Sequence, residues 1–186
     1  MGVDCSPSLI TRAKRSRIAG AEFLVADAAD VARHFAPQSM DGAVCLLAIQ
    51  NMEKMDAVFH ATAQVLKIRA PFILVLNHPC FRQPRQSGWG WDDPRKIQYR
   101  RLDRYLTSYE MPIFAHPGSA PNVKTFSYHR PLSAYVHALV AAGFVVDAME
   151  EWVSPKRSDS GPRAKAENAA RSEFPLFLAL RAQLAS

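Results

Sequence analysis

A chain of 186 residues is long enough to bury one sizeable core, and 48% hydrophobic against 22% charged residues excludes a disordered or fibrous polymer. No apolar run approaches the roughly 20 residues that cross a bilayer, so no membrane span is expected. The formal charge of +6 raises an anionic partner as a question.

In chain order, Val3-Asp4-Cys5-Ser6-Pro7 reads as a strand closing on an acid and opening a helix. Ser6 is a capping residue, Pro7 fits the first helical turn, and Leu9, Ile10 and Ala13 give a narrow apolar stripe. A strand is predicted over 22–26, with Asp27 at its end, and Asp30 is expected to cap a short helix through Phe35. Met40-Asp41-Gly42 is a turn, and the apolar run 43–49 predicts a strand buried on both faces. Met55, Val58, Phe59, Thr62, Val65 and Leu66 recur at helical spacing, so 54–67 is an amphipathic helix, which Pro71 stops before a buried strand over 72–76. Strands alternating with helices argue for a parallel sheet with right-handed crossovers.

From 77 to 129 no period is sustained, which predicts a functional lid containing short local helices. Regularity returns with a helix after Pro131 that carries Tyr135, Val136, Leu139 and Val140 and stops at Gly143. A strand over 144–149, a polar loop over 154–163 expected to be flexible, a helix over 164–172 and a strand over 176–180 complete the order. One domain over 1–186 is the expected organisation. Cys5, Cys45 and Cys80 are odd in number and widely spaced, which suits reduced thiols in a cytoplasm better than disulfides or a zinc site. The amino end also lacks a signal-peptide layout, because Arg12, Lys14, Arg15 and Arg17 follow Leu9 and Ile10 at once. No cluster has metal-ligand spacing, so no metal is expected.

Five pieces in order carry a family resemblance: Gly2-Val3-Asp4-Cys5-Ser6-Pro7, Ala26-Asp27-Ala28, Asp41-Gly42-Ala43-Val44, Val65-Leu66-Lys67 and Ala142-Gly143-Phe144. Together they resemble the class I S-adenosylmethionine-dependent methyltransferases, closest to those acting on small molecules such as quinone precursors. The resemblance implies a Rossmann-like α/β sheet, mostly parallel with an antiparallel last strand, and a lid inserted after the fifth family strand. It implies S-adenosyl-L-methionine as cofactor. Asp4, with Cys5 and Ser6 beside it, matches the acid that binds the ribose hydroxyls. Asp27 and Ala28 match the pair that reads the adenine, and Leu46, Leu47 and Ala48 match the wall beside the methionine part. The family begins with a strand and a glycine-rich turn that have no counterpart ahead of Asp4. The expectation is an amino-truncated version of a longer protein, with a decayed homologue as the competing explanation.

Methyl transfer from a sulfonium is an in-line displacement in which a base serves only if the acceptor must lose a proton. The rim beyond the strand ending at Leu76 is where an acceptor is expected. His78 is the candidate base, set against a histidine that merely hydrogen-bonds the loop. Asn77, Arg82, Trp89, Trp91 and His129 are candidate substrate contacts, the tryptophans for a planar acceptor or else for packing the lid. His116 is read as a turn residue. Two other functions compete with a small-molecule methyltransferase: a catalytically dead binding domain, and an RNA methyltransferase suggested by the basic stretch from Arg82 to Arg104.

Overall fold

A computed structural model describes residues 1–114 and 124–185; the expected turn at His116 lies outside them. The chain opens with β1 (Gly2–Asp4), α1 (Pro7–Arg15) and β2 (Phe23–Val25), and β1 and β2 pair in parallel. Ser6 caps α1 by accepting from the Leu9 amide at 3.4 Å, with Pro7 in the first turn. Ile10 is the buried residue of this helix, as its narrow apolar stripe requires.

A second sheet holds β3 (Ala43–Leu46), β4 (Pro71–Asn77), β9 (Phe144–Trp152) and β10 (Phe177–Leu184) in the order β3-β4-β10-β9. β3 runs parallel to β4, and β10 runs antiparallel to both neighbours, as expected of the last strand. Helices α2 (Met55–Val65) and α3 (Leu132–Ala141) contribute Val58, Phe59, Tyr135 and Leu139 to a core shared with Phe72, Leu74, Phe144 and Leu180. The Phe72 ring links the layers, 5.8 Å from Phe59 edge-on and 5.5 Å from Phe144. Gly143 ends α3 with φ +90°, a left-handed conformation that a side chain would strain.

The two sheets share no ladder. Ala28 and Ala29, in a 3-10 turn over Ala28–Arg33, pack against the core, and Met40 accepts from Lys67 while donating to Val65. These contacts tie the β1–β2 unit to α2. Asp27, rather than Asp30, caps that turn by accepting from the Ala29 amide at 2.9 Å. β3 is shorter than the apolar run suggested and is not buried on both faces. Val44 and Leu46 are 63% and 61% exposed, because among the described residues β3 has a strand neighbour on one side only. Leu47 turns out of the strand at φ 51° into a short 3-10 turn, Ile49–Asn51.

The segment 77–129, expected as a lid with short helices, corrects another expectation. It contains no local helix among its described residues, but two hairpins: β5 (Ser87–Asp92) with β6 (Ile97–Leu102), and β7 (Tyr109–Phe114) with β8 (Lys124–His129). The first hairpin lies on α4 (Ala164–Glu173). Within the polar loop over 154–163, Ser158 donates to Asn168 of α4 at 2.9 Å. No described helix is long and apolar enough to cross a membrane.

Candidate active site

Most of the sequence-derived residues fall at or just beyond the carboxyl ends of β1 to β4. At the end of β1, Asp4 accepts from the Ser6 amide at 2.7 Å through Oδ1, leaving its second oxygen for a ligand. Ser6 Oγ lies 2.9 Å from Ser8 Oγ, and Cys5 is exposed beside it. The Ala26 amide donates to the Asp4 carbonyl, so Asp27 follows directly where the β1–β2 ladder ends. Leu46 and Leu47, also on this rim, expose apolar surface at the end of β3, and Ala48 leads into the 3-10 turn.

A small polar cavity opens at the end of β4. Asn77, Arg82, His129, Gln50, Arg130 and Tyr135 are among its lining residues. Three of the predicted acceptor contacts therefore meet in one place. Trp89 and Trp91 do not line it. Trp89 packs edge-on against Phe174 at 5.8 Å, with Arg100 stacked on it at 4.9 Å and Arg171 at 5.9 Å. Trp91 takes Arg163 at 4.6 Å. Both rings hold the β5–β6 hairpin to α4, the packing role weighed beside the stacking one.

His78 is buried, with 5% of its side chain exposed, and both its ring nitrogens are occupied. Nδ1 accepts from the Cys80 and Phe81 amides at 3.1 and 3.3 Å, so Nε2 carries the proton and donates to Glu151 at 2.7 Å. A ring engaged in this way holds the loop after β4 against β9 and has no lone pair left for an acceptor's proton. His129 differs. Its Nε2 donates to the Tyr105 carbonyl at 2.7 Å, which leaves Nδ1 as the basic nitrogen. Burial lowers its pKa; the Tyr105 bond opposes this, and the charges of Arg104 and Arg130 reinforce it. The imidazole is thus held neutral.

Gln50, Arg130 and Tyr135 escaped a role in the sequence reading. Gln50 is a polar residue directly following the long apolar run over 43–49, a signal that could have marked it. Tyr135 was visible only as a helix-face residue; burial raises its pKa, opposed by the neighbouring Arg130 guanidinium. Burial, and then the Glu151 charge, push the Cys80 thiol up, which disfavours its thiolate. The basic stretch is largely engaged within the protein. Arg95, Lys96 and Arg101 pair with Asp92, Asp93 and Asp103, Arg82 stacks on Phe177 and Arg104 on Tyr109.

Residues 1–74, from β1 into β4, match the methyltransferase domain family. Over nearly its whole length the chain superposes on solved methyltransferases. An S-adenosylmethionine-dependent methyltransferase from Mesorhizobium loti is 24% identical, with 98% of this chain and 78% of that one covered at a TM-score of 0.71. A putative one from Listeria monocytogenes is 22% identical, with 100% and 79% covered and the same TM-score. The glycopeptide N-methyltransferase MtfA, solved with S-adenosyl-L-methionine, is 15% identical, with 98% and 75% covered at 0.55. The chain has the class I methyltransferase fold. In this chain the acids of β1 and β2 stand on the β1-β2 unit and the cavity at the end of β4 on the separate β3-β4-β10-β9 sheet. The two hairpins and the carboxyl half lie outside the matched family segment. No curated protein matches the chain.

Proposed function

We propose that the protein is an S-adenosylmethionine-dependent methyltransferase acting on a small-molecule acceptor. The observation that carries this reading is the division of the rim. Asp4 and Asp27 end adjacent strands on one flank, and a polar cavity with a neutral, buried histidine opens beyond β3 and β4 on the other.

The residues present fit the cofactor, since Asp4 keeps an oxygen free and Leu46 and Leu47 offer an uncovered apolar wall. Asp4, with Cys5 and Ser6, would hold the ribose hydroxyls; Asp27 and Ala28 the adenine; Leu46, Leu47 and Ala48 the methionine part. When bound, S-adenosylmethionine supplies a methyl group on a sulfonium. The chain's own work is orientation, the main contribution to an in-line displacement. Asn77, Arg82 and Arg130 give the cavity donors for the acceptor. His129 Nδ1 takes a proton where the acceptor must lose one. His78 keeps the Asn77–Arg82 rim in place through Glu151, a positioning role. The internal pairing of the basic stretch favours a small acceptor over RNA.

Calorimetry with S-adenosylhomocysteine tests the cofactor half. Asp4→Ala is expected to weaken binding by about 1–3 kcal/mol, the cost of losing charged hydrogen bonds, and Asp27→Ala by less. Unchanged affinity in Asp4→Ala would remove Asp4 from the site.

A further inference from the structure

The residues lining the cavity at the end of β4 carry two buried polar atoms that form no hydrogen bond among the described residues. Gln50 is 7% exposed, and its Nε2 donates to the Leu47 carbonyl at 2.7 Å. A carbonyl only accepts, so this bond fixes which end of the amide is the nitrogen. Oε1 then stands buried without a donor. Arg130 donates through Nη2 to the Met52 and Glu53 carbonyls at 3.0 and 2.6 Å, while its Nη1 is buried near the Tyr135 hydroxyl without a well-formed hydrogen bond to any described residue. An unpaired buried donor or acceptor is costly, and here the residues that carry one of each line the same cavity.

The pair selects the chemistry of its occupant. A carboxylate would satisfy Arg130 but set its own lone pairs against Gln50 Oε1. An ammonium would satisfy Gln50 and face a guanidinium. An ether accepts from Arg130 and gives Gln50 nothing. A hydroxyl does both, donating to Gln50 and accepting from Arg130. Its size agrees, because the cavity of about 20 Å³ has room for one oxygen-sized group. Asn77 and Arg130 are only partly buried and Arg82 is exposed, so the rest of a molecule can lie at the mouth.

We infer that Gln50 and Arg130 form an anchor for a hydroxyl group of the methyl acceptor, which makes the substrate an alcohol or phenol. The assignment rests on the methyltransferase reading for the word acceptor, but the anchor itself requires no cofactor. Binding of phenol, anisole and benzoate to the ¹⁵N-labelled chain, followed through the Gln50 side-chain amide and the Ser127 and His129 backbone amides, tests it. Phenol is expected to shift these signals and to bind at least tenfold more tightly than anisole or benzoate. Gln50→Met is expected to abolish that preference, with Arg130→Lys as the second variant should Gln50→Met fail to fold. Benzoate binding tightest would make the site an anion site and overturn the anchor. So would a phenol preference that survives in a folded Gln50→Met chain, or no response to any probe, which would mean that a water fills the cavity. A parallel titration with S-adenosylhomocysteine separates the two claims: phenol binding without it leaves the anchor standing and removes the methyltransferase reading.

Discussion

Tyr105 sets the chemistry of His129 by accepting its Nε2 proton at 2.7 Å, so that the free lone pair sits on Nδ1. Burial favours the neutral ring, and the native pKa lies below the ordinary histidine value. Below about pH 6.5 the unfolded chain therefore binds more protons than the native one. Stability from this group is complete above that pH and is lost as pH falls toward the depressed native value. His129→Gln is expected to flatten the dependence of the urea midpoint on pH below about 6.5. An unchanged slope would show that His129 does not titrate in this way. His78 carries a different expectation. His78→Ala leaves the Cys80 and Phe81 amides and Glu151 without their partner and should cost about 1–3 kcal/mol of unfolding free energy. Glu151→Gln, which keeps an acceptor for Nε2, should cost less. Equal losses would mean that the carboxylate charge, not the geometry, holds the loop.

Local pattern made the strand–helix alternation legible, because α2 carries its apolar residues at helical spacing and Pro71 marks where β4 starts. The segment 77–129 was not legible in the same way. Ser87–Asp92 has glycines and tryptophans in alternation, and its pairing is decided by Tyr99 lying over Gly90, where a Cβ would come within 2.3 Å of the ring. Such cross-strand fit is a tertiary property. The candidate site divides likewise. Asp4 and Asp27 were readable from strand ends, whereas the meeting of Gln50, Arg130 and His129 depends on loops far apart in sequence. At this scale Trp89→Ala with Trp91→Ala is expected to loosen the β5–β6 hairpin in hydrogen exchange, since both rings bind it to α4. The same variant should alter S-adenosylhomocysteine affinity by under about 1 kcal/mol, as for sites without shared partners. Loss of that affinity in a folded variant would contradict the division of the rim. β3 offers a further check. Leu47 donates to Val75, so by strand alternation the Val44 and Leu46 amides point away from β4. They are expected to exchange faster than those of Cys45 and Leu47, and equal protection would mean that this edge is covered.

Across the whole molecule, the β1-β2 unit and the β3-β4-β10-β9 sheet share no ladder and are joined through Ala28, Ala29 and the Met40 bridge beside α2. The proposed cofactor residues are spread over both, with Asp4 and Asp27 on one and Leu46 to Ala48 on the other. The central claim is that a single ligand spans them along the carboxyl rim, and mapping that ligand by NMR is the most direct test. S-adenosylhomocysteine is added at millimolar concentration to the ¹⁵N-labelled chain, so that weak binding is seen as well as strong. The expected result is a set of shifts confined to Asp4, Cys5, Ser6, Asp27, Ala28 and Leu46 to Ala48, with the α4 and β5–β6 signals unmoved. Shifts clustered elsewhere, or none at these residues up to the solubility limit, would contradict the account.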